Sequence, residues 1–321
     1  MRRRSVLAGI AATTMSTPAL AQGQVKRIGV LMGYSESDPG ASDYITALTQ
    51  GLNARGWRLG GNLEVVWRWA EGKPALFERL AAELVALKPD ALVAQGTPSV
   101  KALRPKAGAI PIVFTIVTDP VGQGMVKSLA QPGGNVTGFT DFDPAMAGKW
   151  MELLSQVRPK VSRVAVLFNP ETAPFAGQML QAIGQAAPSF GIAVTAAPCG
   201  DDAAIEQAIG AVDGAVALPD LFNLVHRRAI VRAAARRRVP VVYFNRTFTA
   251  AGGLMSYGVD YADQFRRAGG YLDRLLKGVP AGELPVQQPA EFDLSVNLRT
   301  ARALGLELPQ TLISVADDLI E

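Results

Sequence analysis

The chain of 321 residues contains one cysteine, Cys199, and one histidine, His226. A lone thiol cannot close an internal disulfide, and one histidine with one cysteine cannot furnish a His/Cys metal centre. No Gly-x-Ser-x-Gly elbow and no Walker loop occurs. Gly122-Gln123-Gly124 opens like a dinucleotide fingerprint but meets Lys127 where the third glycine should stand. Past residue 21 no run reaches the roughly 20 apolar residues needed to span a bilayer. An excess of one charge is lacking as well. Of 32 Lys and Arg against 28 Asp and Glu, three arginines lie at positions 2 to 4. Without them the balance is 29 against 28, a net charge of +1, which gives no ground for a nucleic-acid partner. No metal and no cofactor is expected.

What is present begins with "MRRRSVLAGIAATTMSTPALA", which has a basic start, a short apolar run from Val6 to Ala12 and a small-x-small end at Ala19-Leu20-Ala21. This predicts an export signal over residues 1–21. Arg3-Arg4-Ser5-Val6-Leu7 resembles a twin-arginine signal, so either the Sec or the twin-arginine route is open. The residue directly after Ala21 is glutamine rather than cysteine, which argues against a lipid anchor.

From Arg27 onward short apolar runs alternate with helical patterns. "RIGVLM", "LEVVWRWA", "ALVAQG" and "IPIVFTIV" read as strands, and helices open at Pro74 and near Pro98. Such alternation predicts parallel strands with crossover helices on both faces, and runs without polar alternation fit strands covered on both sides. The pattern returns about 130 residues later. "RIGVLM" is echoed by "RVAVLF", "DALVAQG" by "DGAVALPD", and "IPIVF" by "VPVVYF". Two similar lobes follow. After them come "GGLMSYGVD", a helix from Tyr261 to Lys277 and a Pro-rich passage too short for a third domain, which is expected to cross between the lobes.

In open parallel sheets, ligands bind beyond the carboxyl ends of the strands. The residues at those ends are Tyr34 and Ser35, then Gln95, Gly96 and Thr97, then Thr118 and Asp119 in the first half. Asn169, Asp220, Tyr243 and Asn245 are their counterparts in the second. Small residues and helix-starting prolines leave N–H groups free for an anion, and Asp119 and Asp220 would meet an ammonium group or several hydroxyls. Each polar residue is equally suited to capping the helix that follows. Tyr34, Tyr243 and Tyr257 offer faces to a flat apolar group. His226 falls in a helix with a basic face, Arg227, Arg228, Arg232 and Arg236 to Arg238, which is a solvated surface or a dock for an acidic partner.

"AEGKPALFERLAAELVALKPDALVAQGTP", "IPIVFTIVTDPVGQGMVKSLAQPGGNVTGFT", "RVAVLFNP" and "LMSYGVDYADQFRRAGGYLDRLLKG" resemble ABC transporter substrate-binding proteins of the tryptophan/tyrosine-type group. The resemblance runs from about Lys26 to the C-terminus and implies a type I periplasmic-binding-protein fold, with two similar doubly wound parallel-sheet lobes joined by a multi-crossing hinge. It implies an N-terminal lobe of residues 25–141 plus 256–282 and a C-terminal lobe of 142–255 plus 283–321. It further implies a periplasmic monomer that closes on an amino acid, in some members an aromatic one, or a related small acid, and delivers it to an ABC permease. Carried over by motif, the implied contacts are Tyr34 and Ser35, Gly96 and Thr97, Thr118 and Asp119, Asn169 and Asp220, with Tyr257 and Asp260 on the crossing segment. Two rival readings keep the same cleft: an exported enzyme working with Asp119 and Asp220, and a ligand sensor for a membrane receptor.

Overall fold

The computed structural model describes residues 25–321; the expected export signal lies outside the described residues. The first half runs β1 (Lys26–Met32), α1 (Pro39–Asn53), β2 (Leu63–Trp69), α2 (Pro74–Ala86), β3 (Ala91–Gln95), α3 (Gly96–Ala107), β4 (Ile112–Val117) and β5 (Val136–Thr140). The second continues with α4 (Ala145–Ser155), β6 (Arg163–Phe168), α5 (Ala176–Ala186), β7 (Ala193–Pro198), α6 (Asp202–Gly210), β8 (Gly214–Ala217), α7 (Leu221–Val225), α8 (Arg227–Arg237), β9 (Val241–Tyr243), α9 (Arg246–Ala250) and β10 (Met255–Gly258). The chain closes with α10 (Tyr261–Leu276), β11 (Asp293–Asn297), α11 (Leu298–Leu304), α12 (Gln310–Ile313) and β12 (Asp318–Ile320).

Two separate sheets result. The first has 5 strands in the order β2-β1-β3-β4-β5 and the second 7 in the order β12-β11-β10-β9-β8-β6-β7. Read from its far end, the second repeats the first: β7-β6-β8-β9-β10 matches β2-β1-β3-β4-β5, and every pairing within both sets is parallel. The echoed runs of the sequence are thus β1 and β6, β3 and β8, β4 and β9. Strands β3, β4, β5 and β8 are buried along their whole length, because helices cover both faces. Two extra strands extend the second sheet, β11 antiparallel to β10 and β12 parallel to β11.

The chain passes between lobes near residues 141–144, 259–260 and 288–292. Residues 255–258 form β10 inside the second sheet, so the boundary expected at 256 falls within a strand of the C-terminal lobe. The following helix, α10, packs on α1 and β4 of the N-terminal lobe. It does so at very short range. A Cβ on Gly51 of α1 would stand 2.0 Å from the Arg266 carbonyl oxygen, and one on Gly269 would stand 2.5 Å from the Gly51 carbonyl carbon. Only glycine permits this crossing. Residues 286–287 also stay with the first lobe, since the Gln287 N–H donates to the Gly138 carbonyl (2.9 Å) and its own carbonyl accepts from the Thr140 N–H (2.9 Å).

Candidate ligand-binding cleft

The carboxyl ends of the two sheets face each other across one cavity. From the N-terminal lobe it is lined by Tyr34, Gln95, Gly96, Thr97, Ile116, Thr118 and Asp141, from the C-terminal lobe by Thr172, Phe175, Pro219, Asp220, Leu221, Leu224 and Phe244, and from the start of α10 by Tyr261. The lobes are closely shut. The space open to the centre of a water molecule is about 20 Å³, room for roughly one water. Gly33 shows how near the lobes lie: a Cβ there would sit 2.9 Å from Gln95 Oε1 and 3.0 Å from the Leu221 methyl groups of the other lobe.

Local chemistry builds the N-terminal wall. Gln95 ends β3 and accepts the Gly33 N–H (2.8 Å), joining two strand tips. Gly96, with φ of +76°, turns the chain directly into α3, whose first turn carries no acid, so Thr97 and the N–H groups around it face the cavity with the positive end of a 12-residue helix. In β4 the pairing with β5 slips between Phe114 and Val117. At that slip Ile116 takes a φ of +58°, a costly position for a β-branched residue. Gln264 of α10 holds it there, accepting the Ile116 N–H (2.8 Å) and donating to the Thr140 carbonyl (2.8 Å). The bulge aims Ile116 into the cavity.

Two carboxylates line the cavity and no lysine or arginine does. Asp141, just past β5, is 2% exposed. It accepts from the Thr118 hydroxyl (2.7 Å) and the Tyr261 hydroxyl (3.3 Å). Burial pushes its pKa up to about 6, against the lowering effect of those two donors. Because Asp141 opens the first crossing and Tyr261 follows the second, their hydrogen bond ties the hinge to the cavity floor. Asp220 mirrors it from the other lobe. It caps α7 through the Phe222 N–H (3.1 Å), accepts the Asn169 N–H (2.7 Å) and the Thr172 hydroxyl, and burial raises it to about 6 as well. Phe175, Phe244, Leu221 and Leu224 supply apolar wall.

Of the residues expected from the sequence, the structure brings Tyr34, Gln95, Gly96, Thr97, Thr118 and Asp220 to this cavity. The others have local partners and are not among its lining residues. Asp119 sits in a left-handed turn (φ +46°) and accepts the Gly122 N–H (2.8 Å), so its carboxylate folds back on its own loop. Ser35 pairs with the Ser37 hydroxyl (2.9 Å) at the outer rim. Asn169 accepts the Glu171 N–H (2.8 Å) and donates to the Cys199 carbonyl (2.9 Å). Asn245 and Asp260 cap α9 and α10. Tyr243 is fully buried and stacks on Phe248 (4.6 Å), while Tyr257 stacks on Phe292 (5.5 Å). Capping and core packing thus explain these positions. The Asp119 and Asp220 pair of the enzymatic reading does not meet in the cavity. Asp141, Thr172, Phe175 and Phe244 were not anticipated. Asp141 had a usable signal, since it follows β5 as Asp119 follows β4, but "NVTGFT" is too poor in aliphatic residues to stand out as a buried strand.

Cys199 is buried and its thiol is pushed up to about 11, which makes it inert. His226 breaks the expected helix between α7 and α8; its Nδ1 lies 2.7 Å from an Asp202 carboxylate oxygen and its ring stacks on Phe222 (4.2 Å). Much of the basic face is neutralised by α6, with Arg232 paired to Asp202, and Arg236 and Arg237 to Glu206. Among the described residues no cluster of three or more His, Cys, Asp or Glu could hold a metal, and no helix is long and apolar enough to cross a membrane.

Comparison with known proteins agrees with this two-lobe fold. Residues 30–320 match the family described as ABC transporter substrate binding protein. A tyrosine-binding protein of Clostridioides difficile strain R20291 is 27% identical over 288 residues, covering 88% of this chain and 81% of that protein. Among solved structures, a conserved domain protein from Vibrio cholerae O1 biovar El Tor strain N16961 superposes with a TM-score of 0.85 at 31% identity, over 92% of this chain and 100% of that one. An ABC domain from Streptococcus pneumoniae in complex with L-Trp gives 0.84 at 24% identity, over 92% and 99%.

Proposed function

The chain belongs to the ABC transporter substrate-binding protein family, and from that premise we infer that it is an exported periplasmic monomer that carries an amino acid with an apolar, preferably aromatic, side chain to its permease. One observation bears most of the weight: a cavity walled by aromatic and aliphatic side chains contains a deeply buried carboxylate, Asp141, that accepts the Thr118 and Tyr261 hydroxyls and pairs with no cation among the described residues. Such a carboxylate retains lone pairs for an ammonium group, and in a dry site the charge-assisted bond is strong. The ligand carboxylate would lie at the start of α3, near the Thr97 hydroxyl and the positive end of the helix. Tyr34, Phe175 and Phe244 would enclose the side chain. The relative named for tyrosine binds a molecule carrying all three features, which supports this reading.

Binding then runs as a two-lobe closure. With the space shut to about 20 Å³, a ligand enters only when the lobes part. Reclosing brings Asp220, Leu221 and Phe244 over it and expels water, so that each polar contact strengthens. No bond is made or broken. Isothermal titration of the mature protein with the common amino acids tests the reading. An aromatic amino acid should bind with Kd near or below about 1 μM, equivalent to about −8 kcal/mol. Absence of heat and of thermal stabilisation with every amino acid at millimolar concentration would remove it.

A further inference from the structure

Outside the cavity, among the described residues, a close and largely buried ion pair joins the lobes, in contrast to the long, exposed contact of Arg246 with Asp260 (4.0 Å). Arg227 Nη1, at the start of α8, lies 2.8 Å from Asp38 Oδ2, immediately before α1. Their side chains are only 10% and 19% exposed, whereas most other ion pairs among the described residues are within one lobe and largely solvated. Both partners are already fixed. Asp38 caps α1 with its other oxygen, which accepts the Gly40 N–H (3.0 Å). Arg227 donates to the Leu224 carbonyl (3.0 Å) from the same nitrogen that faces Asp38. Little side-chain freedom is left to lose when the pair forms, and little water remains to screen it.

The pair also has a defined route to the ligand. Within eight residues, Asp220 to Arg227, the chain supplies Asp220, Leu221 and Leu224 to the cavity, and then Val225 and Arg227 to the opposite lobe. A Cβ on Gly72 of the N-terminal lobe would stand 3.1 Å from Val225 Cγ2, so the lip of the cleft is in contact there too. Pulling Arg227 away from Asp38 therefore pulls on the carbonyl of Leu224, a wall residue.

We propose that Arg227 and Asp38 are the latch of the closed cleft, positioning residues that do not touch the ligand but set how long the lobes stay shut over it. The effect on ligand release rests on the solute-binding reading above; the effect on closure does not. Removing either charge leaves the other buried without its partner whenever the lobes meet, so closing becomes costly while the open form, in which both are hydrated, is unaffected.

Single-molecule energy transfer between dyes on Ala75→Cys in α2 and Gln207→Cys in α6 reads closure directly. Both positions are exposed, and the native Cys199 is buried against labelling. L-tyrosine and L-tryptophan serve as ligand probes. Arg227→Met and Asp38→Asn, the latter keeping a good cap, should each shorten the closed dwell about tenfold or more. The double variant should be no worse than either single one, the mark of one shared interaction. If neither amino acid changes the wild-type signal but the variants still shorten the closed dwell, the amino-acid reading fails and the latch stands. Closed dwells within twofold of wild type in Asp38→Asn, additive losses in the double variant, or a wild-type protein that never closes would each overturn the latch.

Discussion

The two lobes share a strand order, yet their cavity carboxylates are held in different ways. Asp220 accepts two backbone N–H groups and a hydroxyl, all from its own lobe, and caps α7. Asp141 accepts two side-chain hydroxyls and stands at no helix start. The two acids follow strands that are not counterparts, β5 for Asp141 and β8, the match of β3, for Asp220, and the local backbone sets how each is held. One is used to build its lobe. The other, on the proposed reading, is the acceptor for a ligand, and it is tied to the hinge through Tyr261.

The strongest test of this contrast is Asp141→Asn. It should weaken ligand binding roughly 100-fold, the scale of a charge-assisted bond, as measured by isothermal titration. The same variant should raise the melting temperature of the ligand-free protein at pH 7, since it removes a charge held in a buried site, with an effect up to about 2 kcal/mol. Asp220→Asn should do the reverse. It turns an amide NH₂ toward donors, costs about 1–2 kcal/mol of stability in chemical denaturation, and changes affinity less than Asp141→Asn does.

Acidity should separate binding from folding. Both acids have folded-state values near 6, above the ordinary aspartate value of 3.8. Their raised values mean that the folded state binds protons more readily than the unfolded chain. Their contribution to stability is therefore greatest below about pH 4 and is lost as pH rises through about 6. Affinity for an ammonium group follows the charged form and should fall by up to about tenfold per unit below pH 6. The ligand-free melting temperature should thus rise from pH 7 to 5 while binding weakens. Asp90 and Asp213, lowered by hydrogen bonds to Lys26 and Arg27 and to Arg163 and Ser162 despite some burial, withdraw their support only in more acidic solution. The smallest effect belongs to Asp119→Ala. Loss of its turn contact should cost about 1 kcal/mol and leave affinity within about twofold, because its carboxylate is committed to the Gly122 N–H.

Much of this protein was written in the linear pattern. The runs at Arg27, Ala91 and Ile112 and their echoes at Arg163, Gly214 and Val241 are apolar throughout because both faces of their strands are covered, and that property survives without knowledge of neighbours. Strand ends, helix starts at prolines, and hence the edge where a ligand binds follow from the same periodicity. Which polar residues at that edge point inward did not follow. Asp119 and Asp141 both stand just past a strand, and only the left-handed turn at one and the Thr118 and Tyr261 hydroxyls at the other separate a loop cap from a cavity acid. Tyr243 ends β9 and Phe244 follows it; both rings pack on Phe248, yet only Phe244 reaches the cleft. The meeting of Asp38 with Arg227 belongs wholly to the tertiary structure. Local sequence fixes what each segment buries, but side-chain direction at a strand tip and contact between lobes depend on partners more than a hundred residues away in the chain.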